Sequence, residues 1–247
     1  MFKVLNNINT PLFKNLKKIS IDSDNTNFET IDELFHYYGS DKAEIFNKTN
    51  KPGHGFSKFY EEKLKNLKNR QINILEIGSY AGASAAAFVK FLPKSNIYCF
   101  DVNISNFIYE AKNIKVYGID IKNEKKINKI LQNIFIQYKF NNFDLIIDDG
   151  SHNLKDILIG IKIFFKFLKS GGIYVIEDFK HPNYYKYNNN INHIFIDKFL
   201  KNLNDKKISS SSIFSENDQK NLINSIKKIE NFKGNLNDSD ISFITKN

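Results

Sequence analysis

The stretch INILEIGSYAGAS, residues 72–84, decides how the rest of the chain is read. Ile72, Ile74, Leu75 and Ile77 make the apolar run of a strand buried on both faces of a parallel sheet. Glu76 falls at the end of that run, Gly78 and Gly82 bracket a turn, and the small residues from Ala83 onward open a helix. Glycine lets the chain turn tightly and lets a ligand approach the backbone. A helix start also presents N–H groups without intrahelical partners. The pattern is Glu-x-Gly-x-x-x-Gly, not the Gly-x-Gly-x-x-Gly of pyrophosphate-binding loops. The spacing predicts a loop for S-adenosylmethionine rather than NAD, with Gly82 and Ser84 at the helix start among the candidate cofactor-binding residues.

Outward from this loop, strands and helices alternate. Strands are predicted at 72–77, 96–101, 114–117, 143–148 and 172–177, and helices at 83–91, 104–112, 122–137 and 153–168. That alternation implies a parallel sheet with helices on both faces. Past Asp178 the rhythm changes to a Tyr/Asn loop at 181–190, helices near 191–203 and 216–227, and strands at 229–232 and 241–245. The last two read as an antiparallel hairpin, turned at Gly234 and Asn235, on the edge of a seven-stranded sheet. Upstream, residues 1–28 read as a mobile or oligomer-contacting arm. A short helix at 30–38 is expected, with Thr30 and Glu33 as its capping box and Gly39 ending it. A loop at 39–56 and a helix at 57–67 follow. The expected organisation is an arm and helix over 1–38, then a single domain over 39–247 with lid segments at 39–56 and 179–215.

At 247 residues, with 41% hydrophobic content and 23 Phe, the chain can bury a sizeable core. The one cysteine, Cys99, excludes a disulfide framework and fits a reducing compartment. No signal-peptide pattern occupies the first twenty or so residues, and Lys162 and Lys166 interrupt the most apolar run, so a cytoplasmic location is expected. The net charge of +9 invites nucleic acid. Arg70 is the sole arginine, however, and arginine is the residue of bidentate phosphate and base readout. Nucleic acid is therefore not the expected partner, and an anionic small substrate remains compatible with the charge.

Asp101 closes the strand NIYCFD, where a carboxylate can accept from both ribose hydroxyls; the alternative is a helix N-cap. Asp120 could accept from an adenine amino group or be an exposed turn acid. The stretches FDLIIDDGSHNLKD (143–156) and GGIYVIEDF (171–179) are each an apolar strand ending in paired acids, Asp148–Asp149 and Glu177–Asp178. Ligands of open parallel sheets bind outside the carboxyl ends of strands. Several carboxylates gathered there repel unless a cation or protons compensate, and hard oxygen donors suit Mg²⁺. His152 follows Asp149 closely and can take a proton near neutral pH, or serve as a fourth metal ligand. A hydroxyl acceptor needs such help, because metal coordination lowers its pKa and a base within reach removes its proton.

LEIGSYAGAS, FDLIIDDGSHNLKD and GGIYVIEDF together resemble class I S-adenosylmethionine methyltransferases. More narrowly, they resemble metal-dependent sugar O-methyltransferases of the macrolide mycinose-pathway type. The resemblance covers residues 39–180 and implies a Rossmann-like, doubly wound, mainly parallel seven-stranded sheet. It implies Asp149, Glu177 and Asp178 as metal ligands and His152, with Asp149, as the catalytic residues. Cofactor contacts are implied at Glu76, Gly78, Ser79, Asp101 and Asp120, and Asp148 and Lys42 are further cofactor candidates. A segment similar to GSDKA…HGFSKFYE helps close the cofactor site in relatives. Here EIFNKTNKPG is inserted between its halves, so Lys42 and His54 could equally be ordinary charges of a surface turn. Tyr184, Tyr185 and Tyr187 could stack on a sugar or nucleobase, or pack a dimer contact.

The function so implied is methyl transfer from S-adenosylmethionine to a sugar hydroxyl, using a divalent cation and a His base. The expected acceptor is a nucleotide-activated sugar for bacterial capsule or another surface polysaccharide, and the expected assembly is a homodimer or larger homo-oligomer. One alternative is a metal-independent methyltransferase acting on RNA or a small amine. Another is a catalytically silent methyltransferase-like subunit.

Overall fold

The computed structural model describes residues 16–179, 188 and 192–247. Two compact units divide the chain, Met1–Asp120 with Gly234–Leu236 and Ile121–Lys233 with Asn237–Asn247. In chain order the first unit holds β1 (Ile19–Ser20), α1 (Ile31–Tyr38), β2 (Ile45–Phe46), β3 (Lys51–Pro52), α2 (Ser57–Leu64), β4 (Ile72–Ile77), α3 (Ala83–Phe91), β5 (Ser95–Asp101), β6 (Tyr109–Glu110) and β7 (Ile114–Gly118). β5 runs parallel to β4 on one side and β7 on the other, with Ile72 opposite Ser95 and Ile97 opposite Ile114. Ile74, Leu75, Ile97, Tyr98 and Cys99 are fully buried, as a strand covered on both faces requires. In α3 the alanines 85–87 are buried as well, small enough to let the helix lie close.

The second unit holds α4 (Glu124–Tyr138), β8 (Phe143–Asp148), α5 (Leu154–Phe164), β9 (Leu168–Glu177), α6 (Ile196–Asn204), α7 (Glu216–Ser225), β10 (Ile226–Lys233) and β11 (Asp240–Lys246). Its strands lie in the order β10-β11-β9-β8; β8 and β9 are parallel, and β11 is antiparallel to both its neighbours. Together with β4, β5 and β7 they are the seven strands of one mainly parallel sheet with an antiparallel C-terminal pair. This is the α/β fold class expected from the sequence.

Three expectations change. No helix forms over 104–112. Asn103 caps a single 3₁₀ turn at Ile104–Asn106, Phe107 is buried, and Tyr109–Glu110 pair in parallel with Ile19–Ser20. Tertiary contacts override the local pattern there, since a Cβ on Gly82 would lie 2.5 Å from the Phe107 ring. Residues 16–28 are tied down rather than mobile. Ile21 is buried, its N–H donates to Glu110 O at 2.9 Å, and Asp24 accepts from the Tyr38 hydroxyl at 2.7 Å. The remainder of the expected arm lies outside the described residues. The 39–56 loop, finally, contains the β2–β3 hairpin.

Candidate functional site

In the first unit the glycine turn forms as the spacing required. Gly78 adopts φ +86° and Gly82 φ +84°, and Gly82 starts α3. Gly78 N donates to Phe100 O at 2.8 Å, and Gly82 N to Ser79 O at 2.7 Å. Asp101 braces this loop: Oδ2 accepts from Tyr80 N at 2.8 Å and Oδ1 from Asn103 N at 2.7 Å. A carboxylate has about four acceptor directions, so each oxygen keeps one for a ribose hydroxyl. The cap of the following turn is Asn103, which removes the N-cap alternative for Asp101. Glu76 is fully buried, where Oε1 accepts from the Ser84 hydroxyl and Cys99 Sγ lies 3.8 Å from Oε2. Burial, then the Glu76 charge, pushes the Cys99 thiol well up, which leaves it inert. The loop therefore rests on a Glu76–Ser84 tie. Ser79 is buried and Asp120 is exposed just beyond β7. Tyr80 (65% exposed, φ +42°) and Val102 (63%) flank Asp101 in the chain and its bonding, and sequence reasoning passed over both.

The inserted EIFNKTNKPG is an excursion that returns the chain to its starting point. Gly53 N donates to Glu44 O (2.8 Å), His54 N to Asp41 O (2.7 Å), Gly55 N to Ala43 O (3.1 Å) and Phe56 N to Lys42 O (2.9 Å). The halves GSDKA and HGF thus pair as if uninterrupted. Lys42 is 2% exposed, so it is not a surface-turn charge. His54 Nε2 lies 4.0 Å from Asp41 Oδ2, and Asn235 N donates to His54 O at 2.9 Å.

In the second unit the ends of β8 and β9 carry the paired acids, and the two members of the β8 pair part company. Asp148, a candidate cofactor contact, is buried and turned inward. Its Oδ2 accepts from the Tyr174 hydroxyl at 3.1 Å and faces Gly160, where a Cβ would come within 2.5 Å. Burial raises its pKa from 3.8 to about 7; the Asp149 charge adds to the rise and the Tyr174 hydrogen bond opposes it. Asp149 points the other way, with Oδ1 3.7 Å from His152 Nε2. Asp149, His152 and Asp178 bring one ligand atom each within 4.8 Å of one another, a group able to hold a metal ion. Glu177 is buried at the end of β9, next in the chain to Asp178.

Two carboxylate oxygens and an imidazole nitrogen are a donor set for Mg²⁺, or for Mn²⁺, which tolerates nitrogen better. Ligands about 2.1 Å from one ion can stand up to about 4.2 Å apart, so the His152–Asp149 spacing fits. Both His152 and Asp178 adopt φ +53°, in the left-handed region that side chains with a Cβ seldom enter. Tyr184, Tyr185 and Tyr187 lie outside the described residues. Asn188 was also missed: it is buried and bonded to the backbone on both sides of Asn153. One asparagine in the run NNN carries no sequence signal that sets it apart.

Comparison with known proteins follows the same line. The mycinamicin VI 2''-O-methyltransferase of Micromonospora griseorubida is 27% identical over 132 residues, covering 51% of this chain and 31% of the relative. Demethylmacrocin O-methyltransferase of Streptomyces fradiae is 26% identical over 132 residues, 51% of this chain and 32% of its own. The chain is similar to macrolide sugar O-methyltransferases. Among solved structures, the methyltransferase MycE from the mycinamycin biosynthetic pathway, in complex with Mg and SAH, superposes with a TM-score of 0.67. It is 20% identical, over 89% of this chain and 55% of MycE, a likeness that shows the fold. The matches span about a third of the curated relatives' length and about half of MycE. No family model matches the chain. No helix among the described residues is long and apolar enough to cross a membrane.

Proposed function

We propose that the chain is an S-adenosylmethionine-dependent, divalent-cation-assisted O-methyltransferase whose acceptor is a sugar hydroxyl. The observation that carries this reading is the convergence of Asp149, His152 and Asp178, and the relatives' names support it. In this account the Gly78–Gly82 turn admits the cofactor close to the backbone, Asp101 accepts from its ribose hydroxyls, and Asp120 from its adenine amino group. The 39–56 segment, built around buried Lys42, closes over it. Asp149 and Asp178 hold the cation. When bound, a divalent cation polarises the acceptor hydroxyl and lowers its pKa. His152 Nε2, 3.7 Å from Asp149, takes the hydroxyl proton as the oxygen–methyl bond forms and the sulfonium–methyl bond breaks, leaving S-adenosylhomocysteine. Glu177, buried beside Asp178 at the end of β9, is the third ligand in this proposal.

The relatives named above act on macrolide glycosides and give no support to a capsule precursor, whereas the charge of +9 favours an anionic acceptor such as a nucleotide-activated sugar. Transfer of labelled methyl from S-adenosylmethionine to a panel of macrolide glycosides, nucleotide sugars and an RNA oligomer, with Mg²⁺ and with EDTA, separates these. Chelator-sensitive transfer to either sugar class bears the proposal out and names the acceptor. Transfer to RNA, or to any acceptor at full rate in EDTA, overturns it.

A further inference from the structure

The turn carrying His152 has a support that the proposed reaction does not use. Asn188 is 4% exposed; its Nδ2 donates to His152 O at 3.0 Å and its Oδ1 accepts from Leu154 N at 3.1 Å. One side chain thereby spans the peptides on both sides of Asn153. The helix start has its own fastenings: Asn153 Oδ1 accepts from Lys155 N at 3.0 Å, and Ser151 Oγ donates to Asp156 at 2.7 Å. A cap for α5 needs only acceptors for its first N–H groups. The donation to the His152 carbonyl does something else, because it fixes the peptide that follows a left-handed, β-carbon-bearing residue.

We infer that Asn188 is a positioning residue for the Asp149–His152–Asp178 group, locking the turn from which the cation ligand Asp149 and the base His152 project. The inference rests on the reading that Asp149 and Asp178 hold a cation and that His152 stands beside it as the base. Partners outside the ligand set orient ligands and typically change metal affinity about 10–100-fold when removed. Asn188→Ala deletes both bonds. Asn188→Asp is isosteric and can still accept from Leu154 N, but sets a carboxylate oxygen against the His152 carbonyl.

The test titrates Mn²⁺ into the full wild-type chain and both variants, following the resonance of free Mn²⁺, with hydrogen exchange at the Leu154 amide measured in parallel. Wild type should bind, and both variants should bind about tenfold or more weakly, with Leu154 exchange accelerated in Asn188→Ala. Wild-type affinity in Asn188→Ala despite faster Leu154 exchange would overturn the inference alone. Asn188→Asp decides in the same way should the alanine variant fail to fold. A wild-type chain that binds no Mn²⁺ overturns the cation reading, and this inference with it.

Discussion

His152 and Asp178 share a backbone conformation that tertiary structure must impose. Among the described residues six non-glycine positions have positive φ. Asn50 lies in the hairpin turn and Lys139 and Lys206 follow helices, where such angles are ordinary; Tyr80, His152 and Asp178 are the other three. Each left-handed residue with a Cβ costs on the order of 1–2 kcal/mol. His152→Gly should therefore keep or raise stability, by up to about 1 kcal/mol, while abolishing transfer. A urea midpoint well below wild type would contradict that. Asp148 makes a second residue-scale prediction. With its pKa raised to about 7, the folded chain keeps a proton that the unfolded chain, near 3.8, releases. Stability of the metal-free protein should then fall as pH rises between those two values, by roughly 4 kcal/mol at most. Asp148→Asn cannot ionise and can still accept from Tyr174. It should match wild type near the acid end of that window and exceed it at pH above 7, as read by denaturant midpoints. Parallel pH curves would refute this account of the buried acid.

At the scale of elements, the β2–β3 hairpin shows how an insertion can leave a motif intact. Gly53 makes the return possible: a Cβ there would stand 2.2 Å from Ala43 O and 2.6 Å from Asp41 O, both backbone atoms that cannot swing aside. Gly53→Ala should cost about 2 kcal/mol or more and weaken S-adenosylhomocysteine binding. Unchanged stability and binding, by denaturation and calorimetry, would mean that the paired halves do not shape the cofactor cradle. Elements were legible where one local rule governed them. Thr30 and Glu33 form their capping box, and α3, α5, β4 and β8 appear within a residue or so of expectation except at the far end of α5. They were illegible where partners distant in sequence decided. Phe107 packs against the glycine turn and Tyr109 pairs with Ile19, so the helical spacing of 104–112 was overruled. The site divides likewise. The acids at strand ends could be read from order along the chain, but not which member of the β8 pair faces inward, since Tyr174 and Gly160 settle that for Asp148.

Over the whole molecule, the fold supplies two prepared surfaces: a glycine turn braced by Asp101 in one unit and a three-donor group in the other. Neither alone distinguishes a sugar methyltransferase from other users of the cofactor. The claim that matters most is that a cation held by Asp149 and Asp178 assists transfer to a hydroxyl. It is tested most directly by the rate of methyl transfer to the best sugar acceptor as a function of Mg²⁺ concentration, in wild type and in Asp149→Asn. The account predicts a saturable rise with Mg²⁺, loss in EDTA restored by added Mg²⁺, and loss of about a hundredfold or more in Asp149→Asn. Full transfer in EDTA, with Asp149→Asn as fast as wild type, would contradict it.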